Sequence, residues 1–363
     1  MGEKQFFLFC LEIFINYSLG GIFMNHQNHR TLFALLLTVF LLAANVFSGA
    51  KLRVLADTQN TPFSIHGALK VDGTNLVDSQ GEKFQLRGMS THGIAWFPQY
   101  VNREAFQTLR DDWQVNCIRL ALYTEEYNGY CTGGNQDELK TLVKKGVDYA
   151  TELGMYVILD WHVLNDRDPN VHKEEALKFF QEMSSLYKDQ SNVLYEICNE
   201  PNSYATWDSI RAYGKEVIPV IRANDPDAVI IVGTPTWSQD IHQAAANPLE
   251  YDNLLYALHF YAATHTDWLR DRLKTCVAQG LPVFVSEFGT CDASGNGGNN
   301  FDQTRQWLQL LDDYSIGYCC WNLANKAESS SVIVPECSKT YGWSREDLSE
   351  SGKWIFEYFR SHN

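Results

Sequence analysis

Val193-Leu194-Tyr195-Glu196-Ile197-Cys198-Asn199-Glu200-Pro201 is an apolar run that stops abruptly in Asn-Glu-Pro. Val, Leu, Tyr and Ile suit a buried strand. Pro201 cannot donate to a sheet ladder, so it stops the strand. The stretch therefore predicts a strand over Val193–Cys198, with Glu200 at its C-terminal tip and Asn199 beside it. A second run, Pro282-Val283-Phe284-Val285-Ser286-Glu287-Phe288-Gly289, repeats the pattern with Glu287. A carboxyl held at the end of a strand is a candidate proton donor or nucleophile. Glu196 shares Glu200's face by the period of two but lies deeper, so a structural role is expected of it.

Working outward, the same rhythm recurs. Strand-like runs fall at Phe84–Met89, Cys117–Tyr123, Tyr156–Trp161, Val193–Cys198, Ala228–Val232, Leu254–Phe260, Pro282–Ser286 and Gly317–Trp321. Helix-like stretches separate them: 102–112, 136–153, 173–187, 206–224, 266–279 and 300–314, with a weaker one at 238–247 and a last one at 354–360. Strands alternating with helices indicate an α/β fold with a parallel sheet. Eight repeats in roughly 240 residues fit a closed (β/α)8 TIM barrel better than an open doubly wound sheet. No G-x-G-x-x-G follows the first strand, which removes the main support for dinucleotide binding. Gly295-Asn296-Gly297-Gly298 has no lysine and reads as a flexible loop. Phe63 to Leu86 alternates around Asp72-Gly73 and Ser79-Gln80-Gly81, which predicts an N-terminal β-hairpin cap.

Residues 1–50 read as a leader. Phe33 to Phe47 is an apolar core of signal-peptide length, and Ser48-Gly49-Ala50 supplies small residues for cleavage. Met24 is an alternative start. The apolar run is shorter than the roughly 20 residues of a full span, so cleavage and export are expected, with no membrane attachment afterwards. Residues 51–62 read as a short linker and 63–363 as one domain. The formal net charge is −15, without a Lys/Arg run, so phosphate-backbone binding to nucleic acid has no electrostatic footprint. Beyond the leader, eight cysteines show no zinc or redox spacing. Cys131, Cys291 and Cys337 lie in loop-like sequence where a disulfide could form after export.

The strand ends concentrate polar and aromatic groups: His92 and Trp96, Arg119 and Tyr123, Asp160-Trp161-His162, Asn199-Glu200, Thr234 to Trp237, His259-Phe260-Tyr261, Glu287, and Trp321-Asn322. Barrel enzymes gather their chemistry at these ends. Any one residue has a plain structural explanation, a core Trp or a satisfied His. Nearly every tip being polar or aromatic at once does not. Two carboxyls flanked by aromatics, without a metal set, point to glycoside hydrolysis, which needs one protonated and one ionised carboxyl. Arg119 could keep one of them ionised. Tryptophan faces suit the C–H faces of sugar rings.

Seven motifs in order carry a resemblance. They are Leu86 to Gly93, Asp160-Trp161-His162, Tyr195 to Pro201, Thr236 to Asp240, Leu258 to Ala262, Val285 to Gly289 and Trp321 to Lys326. Together they resemble glycoside hydrolase family 5, in its bacterial endoglucanase branch, from about residue 63 to the C-terminus. The resemblance implies a retaining double displacement on β-1,4-glucan without a cofactor or metal. It implies Glu200 as acid/base and Glu287 as nucleophile, with Asn199 holding the sugar 2-hydroxyl. Arg119 and Tyr261 would position Glu287 and keep it ionised, and His162 and His259 would complete the ring of hydrogen bonds. Trp321 would form the stacking floor. His92, Trp96, Tyr123, Lys326 and Glu328 resemble non-reducing-side sugar contacts, and Trp237 a platform for the leaving group. For Lys326 and Glu328 a surface ion pair is an equal alternative.

No Ser/Thr/Pro-rich linker or separate carbohydrate-binding segment is legible, so soluble or amorphous glucan is the expected substrate, acted on by a secreted monomer. A mannanase, xylanase, licheninase or xyloglucanase would keep the same barrel and glutamates. A non-catalytic sugar-binding barrel would be expected to lack one of Glu200, Glu287 and Asn199. A metal-dependent hydrolase finds no H-E-x-x-H or comparable cluster.

Overall fold

The computed structural model describes residues 60–362. The leader 1–50 and nearly all of the linker 51–62 lie outside them. Two short strands, β1 (Lys70–Asp72) and β2 (Asn75–Val77), form an antiparallel hairpin. Eight parallel strands then close a barrel: β3 (Arg87–Thr91), β4 (Cys117–Tyr123), β5 (Tyr156–His162), β6 (Val193–Glu196), β7 (Ile230–Val232), β8 (Leu254–Tyr261), β9 (Val283–Gly289) and β10 (Tyr318–Leu323), with β10 returning to β3. The (β/α)8 barrel with a hairpin cap is the expected fold. Among the described residues, no helix is long and apolar enough to cross a membrane.

The helices begin where side chains satisfy their free N–H groups. Asn102 Oδ1 accepts from Ala105 N at 2.7 Å and starts Arg103–Asp111. Thr206 and Ser209 exchange side-chain and backbone bonds at the start of Trp207–Arg222. The helices Gln136–Glu152, Lys173–Tyr187, Asp267–Ala278 and Phe301–Tyr314 match the expected stretches within two residues. The chain closes with Glu350–Ser361.

Alternation along each strand divides the core. Ile118, Val157, Tyr195, Ile230, Leu258 and Val285 pack in the layer shared with the helices. Cys117, Tyr156, Ile158, Leu194, Ile231, Ala257 and Phe284 fill the lower barrel. Leu69, Leu76 and Phe84 join that second group, so the hairpin region plugs the N-terminal end of the barrel. Each of the Val, Leu, Ile and Phe side chains among these is worth about 1.5–3 kcal/mol when withdrawn from water.

Four expectations need correction. The stretch from Phe63 is not all hairpin: Pro62–His66 is a short helix, capped by Thr61, so the linker reaches no further than about residue 60. The first barrel strand is Arg87–Thr91, not Phe84–Met89, because Phe84 serves the plug and pairing with β4 begins at Gly88. The strand at Val193 ends at Glu196. Its pairing with β7 covers only Tyr195 and Glu196, and Glu200 sits on the bend beyond. Finally, Cys131, Cys291 and Cys337 form no disulfide; all eight described cysteines are free thiols.

Candidate active site

The floor of the site is a single guanidinium. Arg119 points inward from the middle of β4 and is fully buried. Its Nε donates to Glu196 Oε2 at 2.7 Å, and its Nη1 donates to Glu287 Oε2 at 3.1 Å. Its Nη2 donates to Asn199 Oδ1 at 2.6 Å and lies 3.0 Å from Asp160 Oδ2. Three buried carboxyls thus converge on one cation, with good fork geometry. The charges of all three hold Arg119 protonated. Asp160 also meets His162 Nδ1 at 2.5 Å, and burial lifts it to about 7 against the pull of Arg119.

Glu287 is placed by a bulge. Along β8, two steps separate Ala257 from His259, but along β9 three steps separate their partners, Phe284 and Glu287. The pairing with β10 shows the same extra residue. A bulge re-aims side chains, and here Ser286 and Glu287 both face inward although they are neighbours. Tyr261 Oη donates to Glu287 Oε1 at 2.8 Å. The Tyr261 ring lies against Gly289, where a Cβ would come within 2.4 Å of it. Any side chain at 289 would displace the tyrosine that holds Glu287. Burial, and then the nearby Glu200, raise the Glu287 carboxyl above its ordinary value, while His259, Arg119 and His162 oppose the rise. The expectation that Arg119 favours the anion is correct in sign, but burial outweighs it.

Glu200 reaches the same space from the bend after β6. Asn199 N bonds Trp161 O and Glu200 N bonds Val163 O, which fixes the bend against the end of β5 and the residue just beyond it. Glu200 Oε1 lies 2.9 Å from His259 Nδ1. Burial pushes Glu200 up to about 8. Burial also drives His259 down to about 4 and His162 well below its usual range. The site therefore offers a protonated carboxyl, a second carboxyl tied to a guanidinium, and neutral imidazoles.

One donor atom each from Glu200, His259 and Glu287 lies within 4.8 Å of the others. The group reads as an acid–base set rather than a cation centre, because Arg119 already puts positive charge on the same Glu287 carboxylate.

A cleft of about 520 Å³ opens above these groups. Its lining brings together His92, Tyr123, His162, Glu200, Trp237, His259, Tyr261, Glu287, Trp321, Lys326 and Glu328 from the expected set. Asn199 and Arg119 lie beneath the lining, fully buried. The Asn199 amide is directed at His162 Nε2 and Val163 O, each 3.2 Å away. A sugar hydroxyl would have to join or replace those partners. Trp321 stacks on His162 with ring centroids 5.2 Å apart and 20° between planes, as a flat floor requires. Trp96 stands on the rim, 39% exposed and stacked on Tyr127, with Lys326 Nζ 5.0 Å from its ring centre. Lys326 and Glu328 do form an ion pair, at 2.7 Å. It is built into the cleft wall, since Glu328 also accepts from Asn322 and Ser330.

Trp237 is 43% exposed beside Glu200 on an unusual turn. Thr236, Trp237 and Ser238 all have positive φ, at 58°, 53° and 54°. Such residues cost about 1–3 kcal/mol each. Trp237 N donates to Pro201 O at 3.0 Å, and Ser238 Oγ donates to Asn199 O at 2.7 Å. The platform and the Glu200 bend are thus pinned to each other. Sequence reasoning assigned no role to Ser238, Ser286 or Asp160. Asp160 and Ser286 sit inside quoted motifs, but only the barrel's inward register and the bulge reveal where they point.

The profile described as Cellulase (glycosyl hydrolase family 5) matches residues 77–327. Endoglucanase A of Butyrivibrio fibrisolvens is 48% identical over 295 residues, covering 80% of this chain and 68% of that protein. Endoglucanase N of Pectobacterium atrosepticum is 48% identical over 302 residues, covering 83% and 67%. The chain spans between 57% and 68% of the length of these and three further curated relatives. Among solved structures, the catalytic domain of Thermobifida fusca endoglucanase Cel5A in complex with cellotetraose superposes with a TM-score of 0.79 at 39% identity, over 83% of this chain and 100% of that one. Cellulase Cel5C_n gives 0.80 at 44% identity, over 83% and 94%.

Proposed function

The chain belongs to glycosyl hydrolase family 5, the cellulase family, and from that premise we propose a secreted endo-β-1,4-glucanase that cuts internal bonds of a β-glucan by retaining double displacement. Glycoside hydrolysis of the endoglucanase type follows from the family and from relatives of that name across most of the chain. The observation that carries the mechanism is the pairing of Glu200, lifted to about 8, with Glu287 on Arg119 and Tyr261. At neutral pH Glu200 holds a proton for the leaving oxygen. Glu287 attacks the anomeric carbon and forms a glycosyl ester. Glu200, now a carboxylate, takes a proton from the water that releases the sugar.

Trp321 and Trp237 both line the cleft that holds Glu200 and Glu287, with Trp96 on its rim. A β-glucan chain fits that sequence of flat rings, and the solved relative with cellotetraose supports this substrate class. Export rests on the apolar leader followed by Ser48-Gly49-Ala50. The mature protein is proposed as a monomer without membrane attachment.

The test is turnover on carboxymethylcellulose, mannan, xylan and mixed-linkage glucan, with Glu287→Gln as control. Glucan cleavage with rapid loss of viscosity is expected, and the variant should lose on the order of 10⁴-fold or more. Strong turnover of mannan with none on glucan would remove the substrate assignment. Full activity in Glu287→Gln would remove the nucleophile.

A further inference from the structure

Glu196 and Ser286 are buried polar side chains that the double displacement does not use. They end an unbroken chain of hydrogen bonds that begins at Glu200. Glu200 Oε1 lies 2.9 Å from His259 Nδ1. His259 Nε2 lies 2.9 Å from Ser286 Oγ, and Ser286 Oγ donates to Glu196 Oε1 at 2.5 Å. Four side chains from β8, β9, β6 and the bend after β6 are linked in series.

The direction of each bond follows from the one before it. Glu196 Oε2 accepts from Arg119 Nε at 2.7 Å, the shortest of the three carboxylate contacts to that guanidinium. Burial raises the Glu196 carboxyl, but Arg119 opposes the rise and favours the anion, which accepts on both oxygens. Ser286 has one proton and gives it to Glu196. Its oxygen can then only accept from His259, so the ring proton sits on Nε2. The ring is neutral, since burial drives it down to about 4. A neutral ring protonated at Nε2 presents a bare lone pair at Nδ1. Glu200 Oε1 faces that lone pair, and only a protonated carboxyl can bond to it.

We propose that Ser286 and Glu196 are positioning residues that lock His259 as the Nε2–H tautomer, so that the ring accepts from Glu200 and holds the proton on it between turnovers. This deepens the glycosidase reading and rests on it. In the first displacement the held proton passes to the glycosidic oxygen as its bond to the anomeric carbon breaks and the bond to Glu287 forms. Glu200 is then a carboxylate facing a lone pair, which strengthens it as the base that takes a proton from water. Other groups also face this pair. Arg119 from β4 favours the Glu200 anion, while Asp160 from β5 and Glu196 from β6 favour the acid. His162 from β5, Tyr261 from β8 and Glu287 from β9 complete the surround. None of them fixes the ring tautomer.

Ser286→Ala removes the hydroxyl that sets the direction. His259 is then free to turn an Nδ1–H toward a Glu200 anion. The alkaline limb of kcat/KM against pH, measured on cellopentaose with the full chain, is expected to fall by about one unit. 2,4-Dinitrophenyl β-cellobioside needs no proton on its leaving group, so its kcat/KM should stay within about twofold. A folded Ser286→Ala enzyme with an unmoved alkaline limb, or with equal losses on both substrates, overturns the proposal. The wild-type enzyme gives a second reading through ¹⁵N-labelled histidine at neutral pH. A His259 signal with the proton on Nε2 supports the proposal, and one with the proton on Nδ1 overturns it whether or not the variant folds. Failure of the wild type to cleave cellopentaose would remove the glycosidase reading instead, and leaves the tautomer measurement intact.

Discussion

Glu200 and Glu287 bring carboxylate oxygens within 4.8 Å of each other, one from a bend beyond a finished strand and the other from a bulge within a paired one. Inverting glycosidases hold their carboxyls about 6.5–9.5 Å apart to seat a water, and retaining ones about 5–5.5 Å. An oxygen pair this close fits the retaining arrangement better than the inverting one. The first product released from cellopentaose should therefore be the β-anomer, read by proton NMR before mutarotation. An α-anomer appearing first would contradict the assignment of Glu287 as nucleophile.

The two carboxyls also set the pH dependence. Glu287 must be ionised, and its value is raised, so rate is lost as pH falls through a value above that of an ordinary glutamate. Glu200 must be protonated, so rate is lost as pH rises through about 8. The profile of kcat/KM should be a bell with its alkaline limb near 8. Glu200→Gln should remove the alkaline limb. An alkaline limb unchanged in that variant would assign it to another group.

Arg119 serves stability and chemistry together. Replacing it with Met leaves Asp160, Glu196 and Glu287 gathered without their common cation. Losing one partner of a buried ion pair costs about 3–5 kcal/mol, measurable by urea unfolding. In the part that folds, Glu287 loses the cation that opposed its rise, so the acidic limb of the pH profile should move upward. Unchanged stability would mean that the carboxyls find protons or water without cost.

Much of this arrangement was legible before the structure. Tyr123, His162, His259 and Tyr261 could be placed because each sits at an inward step of a regular strand, and period two survives in β4, β5 and β8. Glu287 was found by its motif, but its neighbour Ser286 was not. Strict alternation sends one of two adjacent residues outward, and the bulge in β9 breaks that rule with no glycine or proline between Phe284 and Phe288 to announce it. Glu200 was found with the wrong backbone: pairing stops at Glu196, so the bend, and not the strand, delivers it. Asp160 was read as part of a strand end but not as a carboxyl on Arg119, and Ser238 stayed hidden because its partner, the Asn199 carbonyl, lies far off in sequence.

The turn at Thr236–Ser238 separates binding from chemistry. It holds Trp237 exposed beside the acid, and its backbone bond to Pro201 O ties the ring to the bend that carries Glu200. A flat ring on the acid's side contacts the sugar that leaves. Trp237→Ala removes that face but none of the hydrogen bonds, which come from Trp237 N and Ser238 Oγ. Loss of one stacking contact, about 0.5–1.5 kcal/mol, should raise KM for cellopentaose by up to about tenfold. The variant's kcat/KM on 2,4-dinitrophenyl β-cellobioside, which places no sugar on that side, should stay within about twofold. Ser238→Ala keeps the ring but cuts the bond to Asn199 O. It should lower kcat on both substrates, because the bend that aims Glu200 and the buried Asn199 amide then loses its anchor. If Trp237→Ala lowers both substrates equally, the ring braces the catalytic bend and is not a platform for sugar.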